Sequence, residues 1–125
     1  GDFFIIDDAF NSNPVGAKNA VEILGQFTDG RRIIITPGMV ELGEIEYEEN
    51  RKFGHAIGNA NLDKIILVGE ERASAILEGI EQIEHQIEKV DVVNSLFEAN
   101  DLLKNYLQSG DIVLYENDLP DVYNE

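Results

Sequence analysis

The stretch LDKIILVGEERASAILEGI, residues 62–80, decides the fold class. It begins with an apolar run at residues 65–68 that is short and rich in β-branched side chains, as buried strands are. After Gly69, apolar residues recur with a helical period at Ala73, Ile76, Leu77 and Ile80. A strand followed at once by an amphipathic helix is the repeating unit of an α/β domain.

The same alternation extends in both directions along the chain. Four more short apolar runs lie at residues 3–6, 33–35, 90–93 and 112–114, and helical periods lie at residues 17–27, 53–60 and 96–107. The order β-α-β-α-β-α-β-α-β predicts one α/β domain over residues 1–125, with three α/β/α layers and a mainly parallel sheet of five or six strands. We expect strands buried on both faces, and an exposed tail or short edge element over residues 116–125.

Two helix starts carry a recognisable capping pattern. Asn13 precedes Pro14, which suits an N-cap residue followed by proline at the first helical position. Ser95 and Glu98 have the spacing of a capping box.

Charge and composition exclude several classes of protein. The 125 residues include 25 acids and nine bases, for a formal net charge of −16, so nucleic acids and anionic membranes are not expected as partners. No apolar run approaches the ~20 residues that span a bilayer. Cysteine is absent, which excludes disulfides and thiolate metal sites. The two histidines, His55 and His85, are expected to have a surface or half-buried structural role.

In an open α/β sheet, ligands bind beyond the carboxyl ends of the strands. The first candidate segment there begins with two carboxylates at the end of the first strand and leads into a helix start; its members are Asp7, Asp8, Asn11, Ser12 and Asn13. Carboxylates accept hydrogen bonds from ribose hydroxyls or hold Mg²⁺, and a helix N-terminus suits a phosphate. The same segment also reads as a simple βα loop in which Asn13 caps the helix.

Two further segments follow other strands. The loop after the second strand contains Met39, Glu41, Leu42 and Gly43, and we expect an apolar neighbour of Glu41 to point inward while the acid stays at the rim. Its length and mixed character favour a binding role. After the last strand, Asn117 and Asp118 either contact a polar substrate or belong to a solvated acidic tail.

Two nucleotide-binding motifs are missing. The chain has no G-x-x-x-x-G-K-[ST] loop and no G-x-G-x-x-G after its first strand. A self-contained kinase, ATPase or dehydrogenase is therefore not expected.

Three ordered motifs carry a family resemblance. IIDDAFNSNP at residues 5–14, GMVELG at residues 38–43 and LDKIILVG at residues 62–69 resemble the C-terminal domain of the Mur ligases. The nearest branch is the one that adds D-alanyl-D-alanine to a UDP-muramoyl tripeptide. The resemblance implies a Rossmann-like domain of a three-domain, ATP-dependent cytoplasmic ligase of peptidoglycan synthesis.

The resemblance also implies roles for the candidate residues. Asp8 would contact the ATP ribose and Asn11 would lie near the phosphates, with Asp7, Ser12 and Asn13 beside them. The loop from Met39 through Glu41 and Leu42 to Gly43, together with Asn117 and Asp118, would border the incoming amino acid or dipeptide. ATP and Mg²⁺ would be held mainly by the central domain, so no metal site is expected here. The implied partners are the N-terminal and central domains of the same chain and a UDP-muramoyl peptide.

The motifs depart from the family pattern at three places. Pro37 precedes Gly38 and Met39 where the family has Gly-Asp-Met, Phe10 replaces a tyrosine, and the last strand ends in acids instead of Lys-Gly-Ser-Arg. An acidic pocket mouth would suit a cationic acceptor. Two other functions stay open: a non-catalytic Mur-like docking module, and a Mg²⁺-binding phospho-receiver-like domain. The latter lacks the aspartate after strand three and the lysine after strand five.

Overall fold

The computed structural model describes residues 3–8 and 13–116. Five strands alternate with four helices, and short 3-10 turns lie at Gly43–Ile45 and Ile87–Lys89. The elements are β1 (Phe4–Asp8), α1 (Pro14–Gln26), β2 (Arg32–Thr36), α2 (Glu46–Asn59), β3 (Lys64–Val68), α3 (Glu70–Glu81), β4 (Val90–Val93), α4 (Leu96–Tyr106) and β5 (Ile112–Glu116). The predicted element order and the parallel α/β sheet are confirmed.

The strands form one sheet in the order β1-β5-β2-β3-β4, and every described pair is parallel. Successive connections from β2 to β3 and from β3 to β4 move the chain one way across the sheet. The return from β4 to β5 moves it back. Because parallel crossovers are right-handed, this reversal requires α4 to lie on the opposite face from the preceding helices.

The two hydrophobic cores show this division of the helices. On one face, α1, α2 and α3 pack over Ile34, Ile65 and Leu114. On the other face, α4 is the one helix that the described residues form, and its Ala99 and Leu103 pack over Ile33, Ile66 and Val113. Helices therefore cover both faces of the sheet, as expected, and each of its three inner strands, β5, β2 and β3, has four of its five residues buried.

The expectation that every strand is buried on both faces is wrong for β1 and for β4, in which none of the four residues is buried. Phe4 is 67% exposed and Ile5 is 57% exposed. The reason is position: among the described strands, β1 pairs with β5 alone and β4 with β3 alone, so each forms one edge of the described sheet. A run of apolar residues does not distinguish an edge strand from a central one.

Both predicted N-cap residues are confirmed, but the Glu98 side chain accepts from the Asn94 N–H, one residue before the Ser95 N–H that a capping box uses. The Asn13 side chain accepts a hydrogen bond from the Gly16 N–H at 2.7 Å. The Ser95 hydroxyl accepts one from the Glu98 N–H at 3.2 Å. Within the described ranges, none of the helices combines the length and apolar character that a bilayer crossing requires.

Helices α2 and α3 approach each other backbone to backbone through glycines. A Cβ atom added at Gly54 would lie 2.0 Å from the carbonyl oxygen of Ile76, and one at Gly79 would lie 1.9 Å from that of Arg51. No side chain fits at either position without moving a helix.

At the amino end of the sheet, Arg31 joins α4 to β5. Its guanidinium donates to both carboxylate oxygens of Asp111, at 2.9 and 2.7 Å, and to the Tyr106 carbonyl oxygen at 2.6 Å. The hydrogen bond from Arg31 lowers the pKa of Asp111, and a second one from the Gln108 N–H acts in the same direction.

We predict that Gly54→Ala destabilises the protein by about 2 kcal/mol, because the methyl group overpacks the α2–α3 contact. At an unhindered helical position the same change would stabilise by about 0.5–1 kcal/mol. Chemical denaturation measures the difference, and Ser74→Ala at an exposed position of α3 is the control, with an expected change below about 0.5 kcal/mol. A stabilised Gly54→Ala variant would contradict the close helix contact.

A second prediction concerns pH. Because the folded-state pKa of Asp111 lies below its unfolded value, its ion pair contributes stability above about pH 4 and that contribution is lost as the pH falls further. Asp111→Asn should lower the free energy of unfolding at pH 7 by about 2 kcal/mol, and should flatten its decline below pH 4. Denaturation midpoints at several pH values measure both effects.

The control for this variant is Glu49→Gln, which removes an exposed pair with Lys52 at 3.3 Å and should cost less than about 0.5 kcal/mol. Equal losses in the two variants would contradict the structural role of Asp111.

Candidate functional site

The carboxyl ends of three neighbouring strands lie side by side at one end of the sheet, which we call the carboxyl edge. Asp8, the last residue of β1, is in register with Glu116, the last residue of β5. Tyr115 is in register with Ile35, so Thr36 at the end of β2 lies in the row of Asp8 and Glu116. The segments that follow β1 and β2 therefore leave from the same edge, on either side of β5.

Side chains at this edge alternate between the two faces. Glu116 and Thr36 lie in one row and are fully buried. Asp7 is exposed and shares its row with Tyr115 and Ile35 on the α4 face. The Tyr115 hydroxyl donates to Asn100 Oδ1 at 3.0 Å, and burial raises the pKa of Tyr115, so this phenol is neutral at physiological pH.

Several predicted site residues lie outside the described residues, namely Asn11, Ser12, Asn117 and Asp118. Asn13 is described, and its observed role is that of the α1 cap. The ligand roles of all five residues, and of Asp7 and Asp8, stay predictions.

The loop that follows β2 is held from three directions. The Gly38 N–H donates to Thr36 Oγ1 at 3.0 Å. From α3, Arg72 Nε donates to the Pro37 carbonyl oxygen at 2.8 Å. From α2, the Asn50 amide bonds to both backbone polar groups of Met39. Such a loop has a defined shape before any ligand arrives.

The side chains of this loop sort inward and outward, as expected. Met39 is only 1% exposed, and Leu42 packs against the core. Val40 and Glu41 are exposed. The backbone is left-handed at Gly38 (φ 79°), Glu41 (φ 62°) and Gly43 (φ 63°); for Glu41, this conformation costs about 1 kcal/mol.

Met39 also lines a groove of about 950 Å³ between α1 and α2. Phe53 lies beside it in the groove wall, and Lys18 and Lys52 lie among the other lining residues. Met39 is therefore in the wall of a groove next to the loop, while the exposed surface of the loop itself is formed by Val40 and Glu41.

Two residues that hold the loop were not found by sequence reasoning. Asn50 had a detectable signal, because it precedes Phe53 and Ile57 of the apolar face of α2 by three and seven residues, and a polar residue in such a stripe needs a partner. Arg72 lies in the first turn of α3. Its contact with Pro37 joins residues 35 positions apart, and no local pattern indicates it.

The described residues hold no metal site. Within residues 3–8 and 13–116, no group of three or more His, Cys, Asp or Glu side chains is arranged to hold a metal ion. Nδ1 of His55 lies 3.1 Å from Nδ2 of Asn59. His85 is exposed, and its Nδ1 lies 3.3 Å from Oε2 of Glu88.

The chain matches the family model described as Mur ligase, glutamate ligase domain, over residues 1–115. A UDP-N-acetylmuramoyl-tripeptide–D-alanyl-D-alanine ligase of Bacillus subtilis (strain 168) is 25% identical over an alignment of 119 residues, and the match covers 90% of this chain and 24% of that protein. The ligase of the same name from Buchnera aphidicola subsp. Acyrthosiphon pisum (strain APS) is 30% identical over 66 residues, 53% of this chain and 14% of that protein.

Solved structures agree with the family match. The MurF ligase of Thermotoga maritima, in complex with ADP, has a TM-score of 0.74 at 23% identity, covering 94% of this chain and 25% of that one. A MurF structure from Acinetobacter baumannii has a TM-score of 0.69 at 25% identity, covering 93% of this chain and 25% of that one. The chain thus spans about a quarter of the length of these proteins.

The family match includes all four helices and nearly all of the sheet, and the solved relatives share the fold. The resemblance of the three motifs is thereby confirmed, and the chain belongs to the Mur ligase family as a C-terminal, glutamate ligase domain.

Proposed function

We propose that this chain is the C-terminal domain of an ATP-dependent amide ligase of peptidoglycan precursor synthesis. The domain binds the incoming amino acid or D-alanyl-D-alanine and closes over ATP held by a central domain. One observation carries the proposal: the end of β1 and the loop after β2 lie at the same sheet edge, separated only by β5. These are the segments that the family resemblance assigns to ATP and to the incoming amine.

The chemistry explains why a separate closing domain is useful. The carboxylate of the UDP-muramoyl peptide attacks the γ-phosphorus of ATP, which forms an acyl phosphate and releases ADP. The incoming amine then attacks the acyl carbon, phosphate leaves and the amine loses a proton. Water would hydrolyse the acyl phosphate, so a domain that closes the cleft protects it. Holding the amine close to the acyl carbon contributes further.

The residues at the end of β1 suit a nucleotide. Carboxylates such as those of Asp7 and Asp8 accept hydrogen bonds from ribose hydroxyls, and the N-terminus of α1 offers partial positive charge to a phosphate. The MurF ligase of Thermotoga maritima was solved in complex with ADP, which supports nucleotide binding by the full-length ligase. Mg²⁺ and the triphosphate would be held mainly by the central domain, and such a ligase would work in the cytoplasm.

The charge of the loop suits an incoming amine. Glu41 is exposed there, and no cation is paired with it among the described residues. A carboxylate in this position attracts the ammonium end of an amino acid or dipeptide and repels other anions.

In the full-length protein, Asp8→Ala should raise the KM for ATP about tenfold, because a hydrogen bond to a charged group is lost. Steady-state phosphate release, with a UDP-muramoyl tripeptide and D-alanyl-D-alanine as the other substrates, measures it. The matched control is Asp29→Ala, an exposed carboxylate in the loop before β2, at the opposite end of the sheet. An unchanged KM for ATP would remove Asp8 from the site. A wild-type protein that releases no phosphate with these substrates would favour a non-catalytic docking module instead.

Glu41→Gln should act on the other substrate. The KM for D-alanyl-D-alanine should rise about tenfold, while the KM for ATP should stay within about twofold of wild type. Glu44→Gln, three residues away and exposed, provides the control and should change neither constant. A larger effect on ATP than on the dipeptide would mean that the loop borders the nucleotide instead.

A further inference from the structure

A single buried asparagine controls the backbone of the loop after β2. Asn50 lies in the first half of α2 and is 1% exposed. Its Oδ1 accepts a hydrogen bond from the Met39 N–H at 2.8 Å, and its Nδ2 donates to the Met39 carbonyl oxygen at 2.9 Å. Nδ2 also donates to the Glu46 carbonyl oxygen at 3.0 Å.

This pattern fixes the orientation of the loop as well as its position. Because the amide of Asn50 engages both the donor and the acceptor of Met39, that residue cannot rotate about its backbone without breaking a buried hydrogen bond. The fit is also tight, since a Cβ atom at Gly38 would lie 2.9 Å from Asn50 Oδ1.

The hydrogen bonds to Met39 affect the backbone of Glu41, two residues further along the loop. With Met39 held inward, the chain turns outward at Val40, and Glu41 takes the left-handed conformation at φ 62°. A non-glycine residue stays in that conformation only when its surroundings enforce it. Glu46 Oε1 accepts from the Leu42 N–H at 3.4 Å, so both ends of the exposed Val40–Glu41 segment are anchored to α2.

We propose that Asn50 is a positioning residue for the incoming amine. Acting through the Met39 backbone, it holds the Glu41 carboxylate at the sheet edge, where that carboxylate binds the ammonium group of the acceptor. This inference rests on the proposed ligase function and adds a residue that touches neither substrate. Arg72, which anchors Pro37 from the other side, contributes to the same task more weakly, because it makes one bond where Asn50 makes two to the loop.

The test is a double-mutant cycle in the full-length protein, with D-alanyl-D-alanine as the probe. Asn50→Ala should raise the KM for the dipeptide about tenfold and leave the KM for ATP within about twofold. In a Glu41→Gln background, Asn50→Ala should raise the dipeptide KM by less than about twofold, because contacting or coupled residues are not additive. Asn59→Ala, on an exposed position of the same helix, is the control and should change neither constant.

A purely structural role for Asn50 gives a different result. It would lower kcat by reducing the fraction of folded enzyme, by the same factor with or without Glu41→Gln. The KM for the dipeptide would stay unchanged. This outcome would overturn the inference. If Asn50→Ala does not fold, Arg72→Met serves in the same cycle, with an expected threefold rise that also disappears in the Glu41→Gln background. A rise that persists there would overturn the inference as well.

Hydrogen–deuterium exchange separates this inference from the proposed function. Asn50→Ala should speed exchange of the Met39 amide at least tenfold, and Asn59→Ala should not, whether or not the protein ligates the probe. A wild-type protein that makes no amide with D-alanyl-D-alanine contradicts the proposed function. If the wild type is active and the Asn50→Ala variant has the same KM for the dipeptide, only the role of Asn50 is contradicted.

Discussion

The backbone contact between α2 and α3 determines where the candidate site can form. Gly54 and Gly79 let the two helices approach until a Cβ atom would overlap a carbonyl oxygen. Asn50 lies about one turn before Gly54 and Arg72 about two turns before Gly79. The contact therefore sets the separation of the two side chains that hold the loop after β2. A wider helix pair would leave that loop without one of its anchors.

The sheet supplies the second constraint. Because every described strand pair is parallel, all carboxyl ends lie at one edge, and the return of the chain through α4 inserts β5 between β1 and β2. That insertion brings Asp8, Glu116 and Thr36 into one row. Residues far apart in sequence thus border the same edge, which is what a domain needs if it is to contribute one wall of a cleft.

Much of the fold was predictable from short-range patterns. The five apolar runs and the four helical periods correspond to the five strands and four helices, and the caps at Asn13 and Ser95 are as expected. The shared edge followed from the rule for parallel sheets. The exposure of Phe4 was not predictable, because the position of β1 at the edge depends on the order of strands, which the apolar runs do not encode.

The candidate site was predictable only in part. The outward position of Glu41 and the inward position of Met39 follow from their polarity. The backbone shape of the loop depends on Asn50 and Arg72, which contact it from 11 and 35 residues away. It also depends on the left-handed backbone conformation of Glu41, which a glutamate side chain does not indicate. Such contacts arise from tertiary packing, and a local pattern shows them only as a polar residue in an apolar stripe.

The central claim is that the edge formed by the ends of β1, β5 and β2 faces the reacting substrates. The most direct measurement is hydrogen–deuterium exchange of the full-length protein with and without a non-hydrolysable ATP analogue, the UDP-muramoyl tripeptide and D-alanyl-D-alanine. The account predicts slower exchange at residues 36–43 and no change at residues 27–32, at the opposite end of the sheet. Protection at residues 27–32 with none at residues 36–43 would contradict it.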